Sequence, residues 1–349
     1  MLKADRIIFL IGAGASYDAN IPISSQMIEK LENSIRNDKQ WQKYRDLYFC
    51  IKSAIINAAG ILGNFSPNLV NIETLVNTMD ELIKSYEHPL YPFIGSWIPR
   101  LNDVCGNTFK NIKELRHDII NKLYNSWMKY EQEEDAAYYK KFLDLQKEYN
   151  FPLHIFTLNY DLCMENIVGK DFIQRGFSDN HIWNWKILDA KQYDEKPIWL
   201  YKLHGSIDWE KLDIGSVKET TGHISLEKLA IIFGTAYKLQ YLDPFLYLVN
   251  IFREKTLSSE TRGIICIGYS FNDEHINGIM SQSLAENKLQ KIISISPCNE
   301  EEKKKEISTK LKLNDMDRII TINKSAKNWL ESISCSVIEE YIVKEEDPF

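Results

Sequence analysis

The apolar positions of this chain follow two different periods, and the change from one to the other divides it. Residues 7–11, Ile-Ile-Phe-Leu-Ile, are a short unbroken apolar run, which predicts a strand buried on both faces. From residue 25 to about 149 strand patterns are scarce. Amphipathic stretches with helical spacing follow one another there, among them 26–37, 71–86 and 115–134. Pro89, Pro92 and Pro99 each remove an amide and bias the preceding residue toward extended backbone, so 88–99 reads as a break between helices. Beyond residue 151 the pattern becomes strand followed by helix, with short β-branched runs at 153–157, 198–203, 230–233, 263–267, 292–295 and 319–322. This alternation predicts an α/β fold: a Rossmann-like parallel sheet with helices on both faces, joined by strand 7–11 and carrying a large helical insertion. The chain then divides into 1–24 for the first strand and its turn, 25–150 for the insertion, 151–343 for the rest of the sheet domain, and a tail at 344–349.

In such a sheet a ligand sits at the carboxyl ends of the strands. Four of the predicted ends are glycine-rich or polar where a purely structural strand would simply turn. They are Gly12-Ala13-Gly14-Ala15-Ser16, Thr157-Leu158-Asn159-Tyr160-Asp161, Lys202-Leu203-His204-Gly205-Ser206 and Gly268-Tyr269-Ser270-Phe271-Asn272-Asp273. Glycines at 12 and 14 let the backbone approach a diphosphate, and the amides opening the next helix face its negative charge. Tight packing of helix on sheet would account for the same glycines. Asn159 is equally suited to cap a helix, Asp273 lies where a helix starts, and Asp18 reads as a partner for a helix dipole.

Composition narrows the classes. A net charge of -7 argues against a surface built to bind nucleic acid directly, and no stretch approaches the roughly 20 apolar residues of a membrane span. The first residues carry no cleavable signal pattern, which places the chain in the cytoplasm. Six cysteines occur with no Cys-x-x-Cys pair among them, and the histidines lack metal-ligand spacing, so no metal site is written locally. The run 300–306, Glu-Glu-Glu-Lys-Lys-Lys-Glu, reads as a solvated helix face, because its acids lead and its bases follow. Trp183, Trp185, Trp199 and Trp209 read as core or interface. No short second strand ends in an acid about 20 residues after the glycine turn, which disfavours an ordinary dinucleotide dehydrogenase.

Taken in order, the four strand ends and Ile232-Phe233-Gly234 resemble the sirtuin superfamily, and most of all its bacterial sirtuin-like branch in antiphage defence. The resemblance implies NAD as substrate. By that likeness Gly12, Ala13, Gly14, Ala15 and Ser16 would hold the diphosphate, and Asn159 and Asp161 would flank the nicotinamide ribose. His204 would be the general base, and Gly268, Ser270 and Phe271 would bind the adenosine half. Sirtuin deacylases carry a four-cysteine zinc module between the histidine motif and the Phe-Gly strand, and residues 205–232 contain no cysteine. Deacylation is therefore put in doubt and water remains as acceptor, which makes NAD glycohydrolase the expected activity, without a metal, in an abortive-infection effector. A noncatalytic NAD or ADP-ribose sensor, and a zinc-free deacylase or ADP-ribosyltransferase, are the alternatives. Trp41, Tyr44, Tyr48, Tyr91, Phe93, Trp97 and Trp127 in the helical segment suggest a homo-oligomer. Resemblance to two-gene defence systems implies a separate ATPase partner, such as a hexameric translocase of the HerA type.

Overall fold

The computed structural model describes residues 4–64, 69–87, 103–189, 196–213, 215–233 and 243–342. Seven strands form one parallel sheet: β1 (Ile7–Ile11), β2 (Leu153–Thr157), β3 (Ile173–Gln174), β4 (Ile198–Lys202), β8 (Gly263–Ile267), β9 (Lys291–Ile295) and β10 (Ile319–Ile322). Their order across the sheet is β10-β9-β8-β1-β2-β4-β3. All five residues of β1 are buried, as an unbroken apolar run requires. Its period of two sends Phe9 to one face, with Ile155, Ile265 and Ile293, and Leu10 to the other, with Phe156, Cys266 and Ile292. Leu31, Tyr48, Leu75, Ile119 and Phe142 from the helical segment cover the first face, together with Leu330 and Ile338. The second is covered by Phe252, Met280 and Ile307 from helices Phe245–Leu257, Glu274–Glu286 and Glu300–Leu311. Helices therefore lie on both faces, as the alternation predicts.

Between Ile11 and Leu153 the described residues are helical or irregular and include no strand. Helices Ser24–Asn37 and Ile72–Glu87 fall where the apolar spacing puts them. The predicted stretch 115–134 is shorter as a helix. It runs as Lys110–Lys122, widens into a π-helical turn at Leu123–Trp127, and there Tyr124 accepts a hydrogen bond from the Ile224 amide at 2.9 Å. Trp41, Tyr44, Tyr48 and Trp127 are buried in the chain's own core, so these four anchor no interface. Tyr91, Phe93 and Trp97 lie outside the described residues, as do the proline break at 88–99, Gly234 and the tail at 344–349.

The predicted strand at 230–233 is a correction. It occurs as β7 (Leu229–Ile231) and stands in a separate antiparallel sheet of order β6-β5-β7, with β5 (Gly205–Lys211) and β6 (Val217–Glu219). The cause is Gly205. Its φ of +84° turns the chain back immediately after His204, and a Cβ there would sit 2.1 Å from the Ala230 carbonyl oxygen. The small sheet is fastened to the large one by buried charges. Arg175 Nη1 lies 2.9 Å from Glu165 Oε1, and its Nη2 pairs with both Asp208, at 2.8 Å, and Glu219. Lys202 Nζ lies 3.0 Å from Glu165 Oε1 and also donates to the Asp161 carbonyl.

Burial alone would raise the Asp208 carboxyl, but the Arg175 guanidinium and the Lys202 ammonium outweigh it and hold the group below the usual carboxylate range. A carboxyl lowered on folding stabilises the native state above its unfolded pKa of about 3.9 and loses that contribution as pH falls through the lower folded value. Asp208→Asn is therefore expected to lower stability at pH 7 by about 3–5 kcal/mol, the scale for breaking a buried pair. The difference from the natural protein should shrink below about pH 4. Urea denaturation across that range measures both, and a difference that is constant with pH would contradict the assignment.

Candidate functional site

Parallel register brings the four strand ends level. Ile11 pairs with Thr157 on one side and with Ile267 on the other, and Thr157 pairs with Lys202. Asn159 and His204 each lie two residues beyond the Thr157–Lys202 pair, so they leave the sheet side by side. The chain runs from β1 to β2 on one side and returns to β8 on the other, which puts the topological switch at the Gly12–Ser16 and Gly268–Asp273 loops.

The glycines of these two loops pack on each other. Gly268 has φ +62°, and a Cβ on it would lie 2.1 Å from the Ala15 nitrogen. The Gly12 and Gly14 amides donate to the Ile267 and Gly268 carbonyls, both at 3.0 Å, and the Ala15 amide donates to Gly12. Those three amides are already hydrogen-bonded within the protein, so they do not stand open as the expected diphosphate cradle. The segment that follows is a seven-residue 3-10 helix, Ala13–Ala19. Ala13 is exposed, whereas Ser16 is fully buried.

Ser16 is the hub of the site. Its hydroxyl donates to Asp161 Oδ2 at 2.8 Å, accepts from Asn159 Nδ2 at 3.1 Å, and lies 2.9 Å from the Tyr139 hydroxyl. A serine has one proton, and here the carboxylate takes it, so Tyr139 must be the donor to Ser16. The same logic fixes the Asn159 side chain: its NH2 faces Ser16, and its Oδ1 is left buried with no hydrogen-bond partner among the described residues. Asp161 Oδ1 accepts from the Cys163 amide at 3.0 Å. Burial pushes the Tyr139 hydroxyl and the Cys163 thiol far up, so both keep their protons and serve as neutral groups.

His204 Nε2 lies 3.0 Å from Asp273 Oδ2. The other oxygen of Asp273 caps helix Glu274–Glu286, accepting from the His275 amide at 3.0 Å and the Ile276 amide at 3.2 Å. The Tyr160 ring lies alongside His204 with centroids 6.5 Å apart, and its hydroxyl donates to the Ile232 carbonyl at 2.7 Å.

Of the expected adenosine-binding residues, Ser270 is exposed, and its carbonyl accepts from Lys310 Nζ at 3.1 Å. Phe271 is buried in the core, with its ring 4.7 Å from that of Tyr269 and under the Lys303 ammonium, so it offers no open stacking face. Helix Glu300–Leu311 thus braces this loop through two of its lysines, while Glu300, Glu301 and Lys305 stay solvated. Asp18 caps a different helix from the one expected, its Oδ2 accepting from the Lys327 amide at 3.0 Å at the start of Ala326–Leu330. Trp183, Trp199 and Trp209 are core residues, and Trp185 is exposed.

Sequence reading missed Tyr138 and Tyr139, because nothing in the helical segment marks which aromatics reach the strand ends. It left Asp273 open as a helix cap, and the structure adds its second partner. Among the described residues no group of His, Cys, Asp or Glu is arranged to hold a metal ion, and no helix is long and apolar enough to cross a membrane.

Comparison with curated proteins finds no match. Among solved structures the chain is similar to an asparagine-for-histidine mutant of a Sir2 homologue in complex with ADP-ribose. That likeness has a TM-score of 0.43 at 12% identity and covers 97% of this chain and 94% of that one. It is also similar to Sir2Tm bound to a propionylated peptide, with a TM-score of 0.39 at 10% identity, covering 96% of this chain and 92% of that one. The model of the SIR2-like domain matches residues 153–316, a span that opens at β2 and takes in Asn159, Asp161, His204 and the 268–273 turn. Residues 153–316 are thus similar to a SIR2-like domain.

Proposed function

We propose that the protein is an NAD glycohydrolase, cleaving NAD to ADP-ribose and nicotinamide. One observation carries the reading: Asn159 Oδ1 is a buried acceptor, fixed in orientation by Ser16 and without a partner, one strand over from His204. An unmade hydrogen bond of this kind costs about 1–3 kcal/mol, and structures retain such groups mostly where a ligand or water completes them. An amide oxygen there suits the proton of a ribose hydroxyl or of an attacking water.

The chemistry asks little more. When the bond between ribose C1′ and the nicotinamide nitrogen breaks, its electron pair goes to the ring nitrogen and cancels the ring's positive charge, so the leaving group needs no acid. Water oxygen bonds to C1′, and its surplus proton passes to His204. Asp161 holds Ser16, which holds Asn159, and each Asp161 oxygen keeps a lone pair for a ribose hydroxyl. The 12–16 and 268–271 loops flank the same row, so the rest of the dinucleotide would lie along them, held by groups other than the engaged Gly12, Gly14 and Ala15 amides and the buried Phe271 ring. Residues 205–231 contain no cysteine to build the zinc module that sirtuin deacylases carry after the histidine motif, which favours water over an acyl-lysine peptide as acceptor.

Asn159→Ala and His204→Ala should each lower NAD cleavage at least about 100-fold while leaving the thermal unfolding midpoint nearly unchanged. Chromatographic separation of nicotinamide and ADP-ribose measures this, and near-normal turnover by either folded variant would remove the assignment.

The reading extends to control. An unrestrained NAD hydrolase would exhaust the cell that makes it, which supports action inside a defence system under restraint by self-association and by a separate ATPase subunit, such as a HerA-type hexameric translocase. Light scattering across a concentration series is expected to show a mass above the 40.8 kDa monomer. A strictly monomeric mass at micromolar concentration, together with turnover indifferent to any ATPase, would refute this extension.

A further inference from the structure

The 268–273 loop ends on a carboxylate that meets the histidine from the neighbouring side of the switch point. Both oxygens of Asp273 are engaged, Oδ1 by the His275 and Ile276 amides and Oδ2 by His204 Nε2 at 3.0 Å. The side chain is buried, and the helix cap leaves it no freedom to turn away. A carboxylate among N–H donors is an acceptor only, so the imidazole nitrogen facing it carries a proton. A neutral imidazole has one N–H, and the proton at Nε2 leaves the lone pair on Nδ1.

We propose that Asp273 is the positioning residue of the site: it fixes His204 in the Nε2–H tautomer, leaving Nδ1 as the nitrogen that accepts the proton released from water. The inference rests on the NAD-hydrolase reading for its chemistry, but the tautomer itself does not depend on it. No described side chain bonds to Nδ1. The ring has Asp273 Oδ2 3.0 Å from its Nε2, is flanked by the Tyr160 ring, and is anchored through the His204 carbonyl, which accepts from the Ile232 amide at 2.8 Å. When Nδ1 takes its proton the ring becomes a cation, and Asp273 is the negative charge against it. The loop beside the switch point would thus set the protonation of the base.

Asp273→Asn separates this from a merely structural role. Asparagine is as good a helix cap as aspartate, and with its oxygen on the His275 and Ile276 amides it turns its NH2 to Nε2. That demands the opposite tautomer and places the proton on Nδ1. Expected results are a loss in kcat of at least about 100-fold, a KM for NAD within about threefold of normal, and an unchanged unfolding midpoint. Nitrogen NMR of histidine-labelled protein, with His204 identified from the His204→Ala spectrum, should show Nε2–H in the natural protein and Nδ1–H in the variant. Asp273→Ser keeps the cap but removes the pair and should give a mixture of tautomers with reduced turnover, so the question stays answerable if the asparagine variant folds poorly. An Nδ1–H tautomer in the natural protein, or full turnover by either folded variant, would overturn the proposal. If the natural protein does not cleave NAD, the hydrolase reading fails, yet the switch of tautomer between the two proteins still decides whether Asp273 sets it.

Discussion

The site depends on a contact between two glycine turns. Because Gly268 carries no side chain and takes a left-handed conformation, the end of β8 can lie directly on the Gly14–Ala15 backbone. Two hydrogen bonds, from the Gly12 and Gly14 amides, close the contact. That fixes where Ser16 begins, and a residue with a short side chain reaches Asn159 and Asp161 only from a fixed backbone. The glycines therefore act one step earlier than in a simple phosphate cradle: they set the position of the serine that orients the asparagine.

A second constraint comes from charge. The strands Gly205–Lys211, Val217–Glu219 and Leu229–Ile231 form a small antiparallel sheet apart from the large one. Arg175 and Lys202 tie it, through Asp208, Glu219 and Glu165, to the edge of the large sheet. Such a cluster adds little net stability, because each charge gives up its water, but it has one satisfactory geometry. Since Lys202 also donates to the Asp161 carbonyl and immediately precedes Leu203 and His204, the geometry of the cluster passes into the placement of both strand ends.

The large sheet was legible because unbroken apolar runs of five residues leave few alternatives, and β1, β2, β4, β8, β9 and β10 fall close to the expected positions. Asn159 and His204 were legible for the same reason, being polar residues placed just past such runs. Gly205–Lys211 was not, since Gly-Ser-Ile-Asp-Trp-Glu-Lys has strand character only once the Gly205 turn and the Arg175 partner are in place. Nor was β7's membership of the second sheet, because period and composition are blind to which neighbour a strand finds. Aromatic residues in the helical segment look alike in sequence, yet Tyr48 is buried core and Tyr139 a hydrogen-bond donor to the site.

That last distinction bears on how the two parts of the chain communicate. The Tyr139 hydroxyl reaches Ser16, and the neighbouring Tyr138 hydroxyl donates to the Ala15 carbonyl at 2.6 Å, the two rings stacked 4.7 Å apart. Both contacts span 123 residues of sequence. With the proton of Ser16 committed to Asp161, losing the Tyr139 bond would leave a buried serine oxygen short of a donor and loosen its hold on Asn159. The helical segment is thus hydrogen-bonded to the orientation of the candidate catalytic amide, and a displacement of the 137–140 turn cannot occur without disturbing the Ser16 network.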